Sequence, residues 1–215
     1  MVNRGYFIAF EGGEGSGKST QIKNLEASLR KEGLKVLVTF EPGGTPLGQS
    51  IRELLLKNST DPMCARSEAL LYAASRAEHV EKVIKPALER GEIVLCDRYM
   101  DASLAYQGVA RKLGLRSILD LNLWATQDLL ADQIFLFDLK PAEGLARAKN
   151  RQELDRLEAE PMTFHEDVIR AYRELAKKNP SRYVVLDASQ KPDEISALIT
   201  QKVRTWILNP QIHST

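Results

Sequence analysis

The stretch Tyr6-Phe7-Ile8-Ala9-Phe10-Glu11-Gly12-Gly13-Glu14-Gly15-Ser16-Gly17-Lys18-Ser19-Thr20 governs how the rest of the chain is read. Tyr6–Phe10 is apolar without alternation, the pattern of a strand covered on both faces. Gly12–Ser19 then fits G-x-x-x-x-G-K-[ST], and a helical pattern opens at Thr20. Glycines permit backbone conformations that side chains block. The N–H groups of such a loop converge on phosphate oxygens, helped by the helix N-terminus behind them. Lys18 is placed to reach the β- and γ-phosphates, and Ser19 to offer a hydroxyl to Mg²⁺. A strand before and a helix after separate this loop from an ordinary Gly-rich turn. By itself it specifies a nucleoside triphosphate with Mg²⁺, and no particular reaction.

Working outward, four more short apolar segments follow: Lys35–Phe40, Ile93–Cys96, Gln133–Phe137 and Arg182–Leu186. Between them lie helical patterns over Thr20–Glu32, Leu47–Lys57, Ser67–Arg90, Ser117–Leu130, Ala142–Glu158, Phe164–Lys177 and Pro192–Leu208. Gly33 marks a helix stop, and Pro86 is expected to kink or interrupt the long third pattern. Strand–helix alternation predicts an α/β fold with a five-stranded parallel sheet and helices on both faces. No internal repeat or linker divides the 215 residues, so a single domain over residues 1–215 is expected.

Thirty Lys and Arg balance 29 Asp and Glu, a net charge of +1 that argues against nucleic-acid binding as the main task. Two cysteines, Cys64 and Cys96, and three scattered histidines form neither a disulfide scaffold nor a zinc pattern. No apolar run approaches the ~18–20 residues that span a bilayer. The first residues lead into a strand without a signal-type hydrophobic region, so a cytoplasmic protein with no membrane partner is expected.

Among loop-bearing NTP proteins, a switch GTPase needs N-K-x-D and a transporter ATPase needs L-S-G-G-Q; neither is present. Three further segments point to a small-molecule kinase. Glu41-Pro42-Gly43-Gly44-Thr45 follows the second strand. Asp97-Arg98-Tyr99, Ser103 and Ala105-Tyr106-Gln107 follow the third, and Tyr72–Arg76 lies on the long helix. Open α/β sheets bind ligands at such carboxyl ends. In this order and spacing, the loop, E-P-G-G-T and D-R-Y-x-x-S-x-x-A-Y-Q resemble the thymidylate kinase family over nearly the whole chain.

The resemblance implies a P-loop nucleoside-monophosphate kinase fold with a short lid over about residues 141–163, a homodimer, and the reaction ATP + dTMP → ADP + dTDP with Mg²⁺. It implies ATP binding by Gly12, Gly13, Glu14, Gly15, Ser16, Gly17, Lys18, Ser19, Thr20 and Arg147, and a metal held by Ser19 and Asp97. For dTMP it implies Arg52 and Arg98 at the phosphate, Glu14 at the 3′-hydroxyl or a metal-bound water, and Glu41 shaping the pocket. Tyr72 stacks on the base, Arg76 donates to its O4, and Ser103, Tyr106 and Gln107 meet sugar and base. The loop after the fifth strand, Ala188-Ser189-Gln190, is expected near adenine. Other monophosphate kinases, for dUMP, CMP or AMP, stand second, although adenylate kinases usually carry G-K-G-T where this chain has Gly17-Lys18-Ser19-Thr20. A slow nucleotide-dependent switch without an acceptor is the alternative of another class.

The chemistry agrees with an arginine-rich site. A phosphate acceptor, with its second pKa near ~6, is mostly dianionic at neutral pH and needs no strong base. The difficulty is bringing two polyanions together, which guanidiniums and Mg²⁺ solve best. Lys18, Arg98 and Arg151 are therefore the expected catalytic cations. No arginine lies among the variable loop positions Gly13–Ser16, which resembles the bacterial type with its catalytic arginine in the lid. On a helix Arg147 and Arg151 would share a face. Lys149 offers only a point charge and is given no catalytic role. Arg151→Ala is expected to lower kcat by ~10²–10³ in a coupled ADP-release assay, the scale for losing one transition-state donor. An unchanged kcat would move that role to another residue.

Overall fold

Phe7–Gly12 (β1) is buried along its whole length because it runs through the middle of a sheet. The computed structural model describes residues 4–150 and 154–208. Val36–Phe40 (β2), Ile93–Asp97 (β3), Gln133–Asp138 (β4) and Tyr183–Asp187 (β5) complete a five-stranded sheet in the order β2-β3-β1-β4-β5, parallel throughout. Asp97 is level with both Phe10 and Phe40, so the loops leaving β1, β2 and β3 open at one edge of the sheet. The chain builds leftward from β1 to β2, then crosses back past β1 to β4. A crevice forms at such a reversal.

Alternation along β1 sorts the core into two layers. Ile8 and Phe10 face Lys18–Lys31 (α1) and Pro192–Leu208 (α9), packing with Ile22, Leu25, Leu29, Ile199 and Val203. Phe7 and Ala9 face the other layer, with Tyr99, Tyr106, Val168 and Tyr172. That layer is built by Pro46–Leu56 (α2), Ala65–His79 (α3), Lys85–Glu89 (α4), Met100–Ser103 (α5), Leu115–Thr126 (α6), Pro141–Lys149 (α7) and Met162–Lys178 (α8). α1 stops where Gly33 adopts φ 79, a left-handed turn open to glycine without cost.

Several elements differ from the sequence reading. β2 and β5 are edge strands covered on one face only, leaving Val38, Phe40 and Val185 exposed. Pro86 does not end the long helix. A wide π-helical turn over Val80–Ile84 precedes it, and Pro86 then sits in the first turn of α4, where its missing N–H is harmless. Met100–Ala110, for which no helix was expected, is helical, continuing from α5 into a second π-helical stretch over Leu104–Ala110. The expected helix Ala142–Glu158 is only α7 at its start. Further on, Asp155 Oδ1 accepts from the N–H groups of Leu157 and Glu158, at 2.8 and 2.9 Å, and Glu158 Oε2 accepts from Asp155 N. Such side-chain bonds compete with helix continuation. Arg151 lies outside the described residues, so its shared face with Arg147 does too.

Phe135 ties β4 to β1 and to α9 within the α1/α9 layer, with ring centroids 5.6 Å from Phe10 and 5.4 Å from Trp206. Phe135→Ala should destabilise the fold by about 3–5 kcal/mol, read as a lowered urea midpoint at unchanged m-value.

Candidate active site

The loop between β1 and α1 is held open by backbone conformations suited to glycine. Gly15 has φ +60, and a Cβ there would lie 2.1 Å from the Gly144 carbonyl oxygen. A Cβ on Gly144 would in turn lie 2.2 Å from the Glu14 carbonyl oxygen. Two bare backbones thus let α7 rest directly on the loop, which brings Arg147 over it. Arg147 Nη1 donates to Ala188 O at 3.4 Å, tying α7 to the loop after β5. Lys18 curls back so that Nζ donates to the carbonyls of Gly13 and Gly12 at 2.9 and 3.3 Å. Burial, and then the Arg98 cation, bring its pKa down to about 8. Ser19 Oγ donates to Asp97 Oδ2 at 2.9 Å, joining the first turn of α1 to the end of β3.

A hydroxyl beside a single carboxylate suits Mg²⁺, which takes hard oxygen ligands and keeps most of its shell for phosphate and water. Among the described residues no group of three or more His, Cys, Asp or Glu is placed to cage a metal. The donor set therefore fits a cation arriving with a nucleotide.

Arg98 joins this loop to a second cleft. Its backbone adopts φ 67, uncommon for a side-chain-bearing residue, and its neighbours hold it there. Arg98 N donates to Phe10 O at 3.0 Å, and Tyr99 N donates to Glu11 Oε1 at 2.8 Å. The guanidinium then points at the loop, donating to Gly12 O and Glu14 Oε1, both at 2.7 Å. It also lies 5.3 Å from the ring centre of Tyr106, whose hydroxyl donates to the same Glu14 oxygen at 2.8 Å. Burial alone would raise the Glu14 pKa. Arg98 and Lys18, with the Tyr106 bond, outweigh it and hold it at about 2. Glu14 is a carboxylate at every working pH.

The second cleft is lined by Glu14, Glu41, Arg52, Tyr72, Arg98, Ser103, Tyr106 and Gln107, with Asp155 and Leu157 closing it from the segment after α7. The basin over the phosphate loop takes in Gly15, Ser16, Gly17, Lys18, Ser19, Thr20 and Asp97. Glu14, Glu41, Arg52, Arg98 and Asp155 line both. Arg52 spans the junction, donating from Nη1 to Pro42 O at 3.0 Å with its guanidinium 5.5 Å from the Phe40 ring centre.

Most of the residues singled out from the sequence meet around these two basins. Gly12, Gly13, Arg147 and Arg76 line neither, and Arg151 lies outside the described residues. Arg76 is buried behind the cleft wall, donating to Glu41 Oε2 at 2.6 Å, Ser103 Oγ at 3.0 Å, Tyr99 O at 3.1 Å and Asn122 Oδ1. Its place is explained by charge: a buried guanidinium needs a carboxylate and carbonyls around it. Glu41 is held by Arg76 and, at 2.9 Å, by His79 Nδ1, whose Nε2 lies 2.6 Å from Thr39 Oγ1. Sequence reasoning missed His79, Glu11, Glu68, Asp155 and Leu157. Glu68 could have been found from the 68-72-76 spacing, which puts it on the same helical face as Tyr72 and Arg76.

A phosphate loop with a carboxylate-tied hydroxyl, opening past two shared arginines, Arg52 and Arg98, into a second polar cleft, defines a P-loop kinase of nucleoside monophosphates. The comparisons with known proteins agree. The family model for thymidylate kinase matches residues 10–199. A thymidylate kinase of Exiguobacterium sp. is 52% identical over 186 residues, 86% of this chain and 88% of the relative. One of Deinococcus radiodurans is 48% identical over 200 residues, 92% of this chain and 96% of the relative. The crystal structure of thymidylate kinase from Ehrlichia chaffeensis matches with a TM-score of 0.73 at 34% identity, covering 93% of this chain and 98% of that one. The chain belongs to the thymidylate kinase family, which phosphorylates dTMP to dTDP.

Glu11, beneath the Arg98 turn, gives the site a pH signature. Its carboxyl is wholly buried and accepts from Tyr99 N and, at 2.7 Å, from Tyr172 OH. Burial, and then the nearby Asp101, raise its pKa from 4.5 to about 7 against the pull of Arg98. The folded state therefore holds this proton more tightly than the unfolded chain. Its contribution is full below pH ~4.5 and is lost as pH rises through ~7, on the order of 3 kcal/mol in all. Glu14 acts in a separate window, losing stability only as pH falls from ~4.5 toward ~2. In urea titrations at pH 5 and pH 8, Glu11→Gln should flatten the decline seen in the parent protein. An undiminished decline would show that Glu11 does not cause it.

Proposed function

We propose that the two basins hold ATP and dTMP, and that the γ-phosphoryl group passes between them at the junction lined by Glu14, Arg52 and Arg98. The observation that carries this reading is the sharing of those residues by both basins. The acceptor phosphate is its own nucleophile, so what matters is charge and alignment. Lys18 and the loop N–H groups hold the β- and γ-phosphates. Arg98 sits between donor and acceptor, braced by Gly12 O and Glu14. Arg52 grips the acceptor phosphate from the other side. A Mg²⁺ held by Ser19 and Asp97 would neutralise β- and γ-oxygens as charge develops. Arg151 is the lid arginine of this reading, and Arg147, with the Ala188–Gln190 loop, flanks the adenosine.

On the acceptor side, Tyr72 supplies an apolar wall for the base. Tyr106, pinned by Glu14, fills the space beside the sugar and favours a deoxyribose. Arg76 braces Glu41 and Ser103, both in the cleft lining, and is the donor to the base O4 in this reading. Two side observations support a homodimer in the cytoplasm. α2, α3 and α6 pack side by side and leave Leu54, Leu70 and Trp124 exposed, Trp124 to 82%. Both Cys64 and Cys96 are free thiols, as a reducing compartment allows. Among the described residues no helix is long and apolar enough to cross a membrane.

ADP release measured against a panel of dTMP, dUMP, dCMP, CMP and AMP tests the reading. dTMP should be preferred in kcat/KM by at least roughly tenfold, ~1.4 kcal/mol in transition-state binding. A preference for another monophosphate, or ADP release indifferent to the acceptor, would overturn it.

A further inference from the structure

Glu68 is wholly buried on α3, and the phosphoryl-transfer chemistry makes no use of it. Its carboxylate collects hydrogen bonds from three separate segments. Gln107 Nε2 donates to Oε1 at 2.7 Å, Arg156 Nη1 donates to Oε2 at 2.6 Å, and Arg111 Nη2 donates to Oε2 at 3.2 Å. Burial alone would raise its pKa. The bonds from Gln107, Arg156 and Arg111 outweigh that and hold the carboxyl below its ordinary value. An ionised carboxylate only accepts. The Gln107 amide therefore has one orientation: its NH₂ must face Glu68. Gln107 lines the cleft beside Tyr72 and Ser103, and no described residue donates to its Oε1.

We propose that Glu68 is a specificity-positioning residue: by holding the Gln107 NH₂, it leaves a carbonyl oxygen to meet the base, which selects pyrimidines bearing an N3–H over those with a bare N3. The inference rests on the cleft being the base pocket of the proposed function. Thymine and uracil offer an N–H at N3 that this oxygen can accept. A cytosine-type base offers a lone pair there, so two acceptors would meet in a buried place and both would stay unpaired. Arg111 and Arg156 keep Glu68 charged and so prevent the amide from turning over. Arg156 also anchors the segment that brings Asp155 and Leu157 into the cleft, donating from Nε to Leu55 O at 2.7 Å.

The experiment compares kcat/KM for dTMP and for 5-methyl-dCMP, which share methyl group, sugar and phosphate and differ only at the N3 and C4 edge. The full chain is assayed as wild type, Glu68→Gln, Gln107→Leu, the double variant and Arg156→Ala, each checked by thermal unfolding. The dTMP-to-5-methyl-dCMP ratio should fall about tenfold or more in Glu68→Gln and in Gln107→Leu, with no further fall in the double variant. Arg156→Ala, which leaves Arg111 to hold Glu68 ionised, should slow both substrates and lower the ratio by less than Glu68→Gln does; a larger fall than in Glu68→Gln would overturn the inference. A ratio unchanged or raised in Glu68→Gln overturns the inference, as does an equal fall when Glu68→Gln is added to Gln107→Leu. Should Glu68→Gln fail to fold, Gln107→Leu decides: an unchanged ratio there overturns the inference. If the wild type prefers another monophosphate to dTMP, the functional reading itself has failed; a wild type that prefers dTMP with an unmoved ratio sinks only the role of Glu68.

Discussion

The Arg98 guanidinium, fixed against the phosphate loop, is the interaction on which the rest of the site depends. Its backbone occupies a left-handed turn that few side-chain-bearing residues adopt. Phe10 O and Glu11 Oε1 hold the two N–H groups of that turn, and both acceptors belong to the strand that leads into the loop. Gly12 O and Glu14 then receive the guanidinium. The central strand thus sets the loop and the arginine together. Neither can shift without the other, the rigidity that the proposed transfer between two anions would ask of a cation at their junction.

Around that bridge the protein spends buried charge freely. Glu11, Glu41 and Glu68 lie beneath or behind the cleft, and each is surrounded by donors. Burying a carboxylate is costly unless it is fully bonded, and such groups are weak contributors to stability. Their value here is directional. Glu11 fixes the Arg98 turn, Glu41 fixes Arg76 and with it Ser103, and Glu68 fixes the Gln107 amide. The cations and amide that line the two basins are held by a layer of acids behind them, which keeps each polar group in one orientation.

The contact between Gly15 and Gly144 does comparable work on the nucleotide side. A Cβ on Gly15 would strike the Gly144 carbonyl oxygen, and a Cβ on Gly144 the Glu14 carbonyl oxygen. A helix far along the chain can therefore lie on the phosphate loop and carry Arg147 to it. Gly144 was invisible as a functional position in the sequence, because a glycine within a helical pattern reads only as a weak helix former. Arg76 is read differently by sequence and structure. Its spacing from Tyr72 points to the cleft face, while Glu41, Ser103 and Asn122 hold its guanidinium within the wall, a depth that helical periodicity cannot report.

Local chemistry in the sequence settled the parts of this protein whose physics is local. Apolar runs without alternation marked all five strands to within two residues, and in β1, β3 and β4 burial on both faces is the reason for that pattern. The glycine, lysine and serine spacing marked the phosphate loop, because backbone freedom and an N-terminal helix turn are properties of neighbouring residues. Tertiary structure alone decided the strand order, the half-exposed edges, the turn that replaces a helix at Asp155, and the acids that aim the site. Those depend on which distant groups meet in a low-dielectric interior. There a carboxylate is placed by all its donors at once, and Glu68 takes its own from Gln107, Arg111 and Arg156, on segments that only folding brings together.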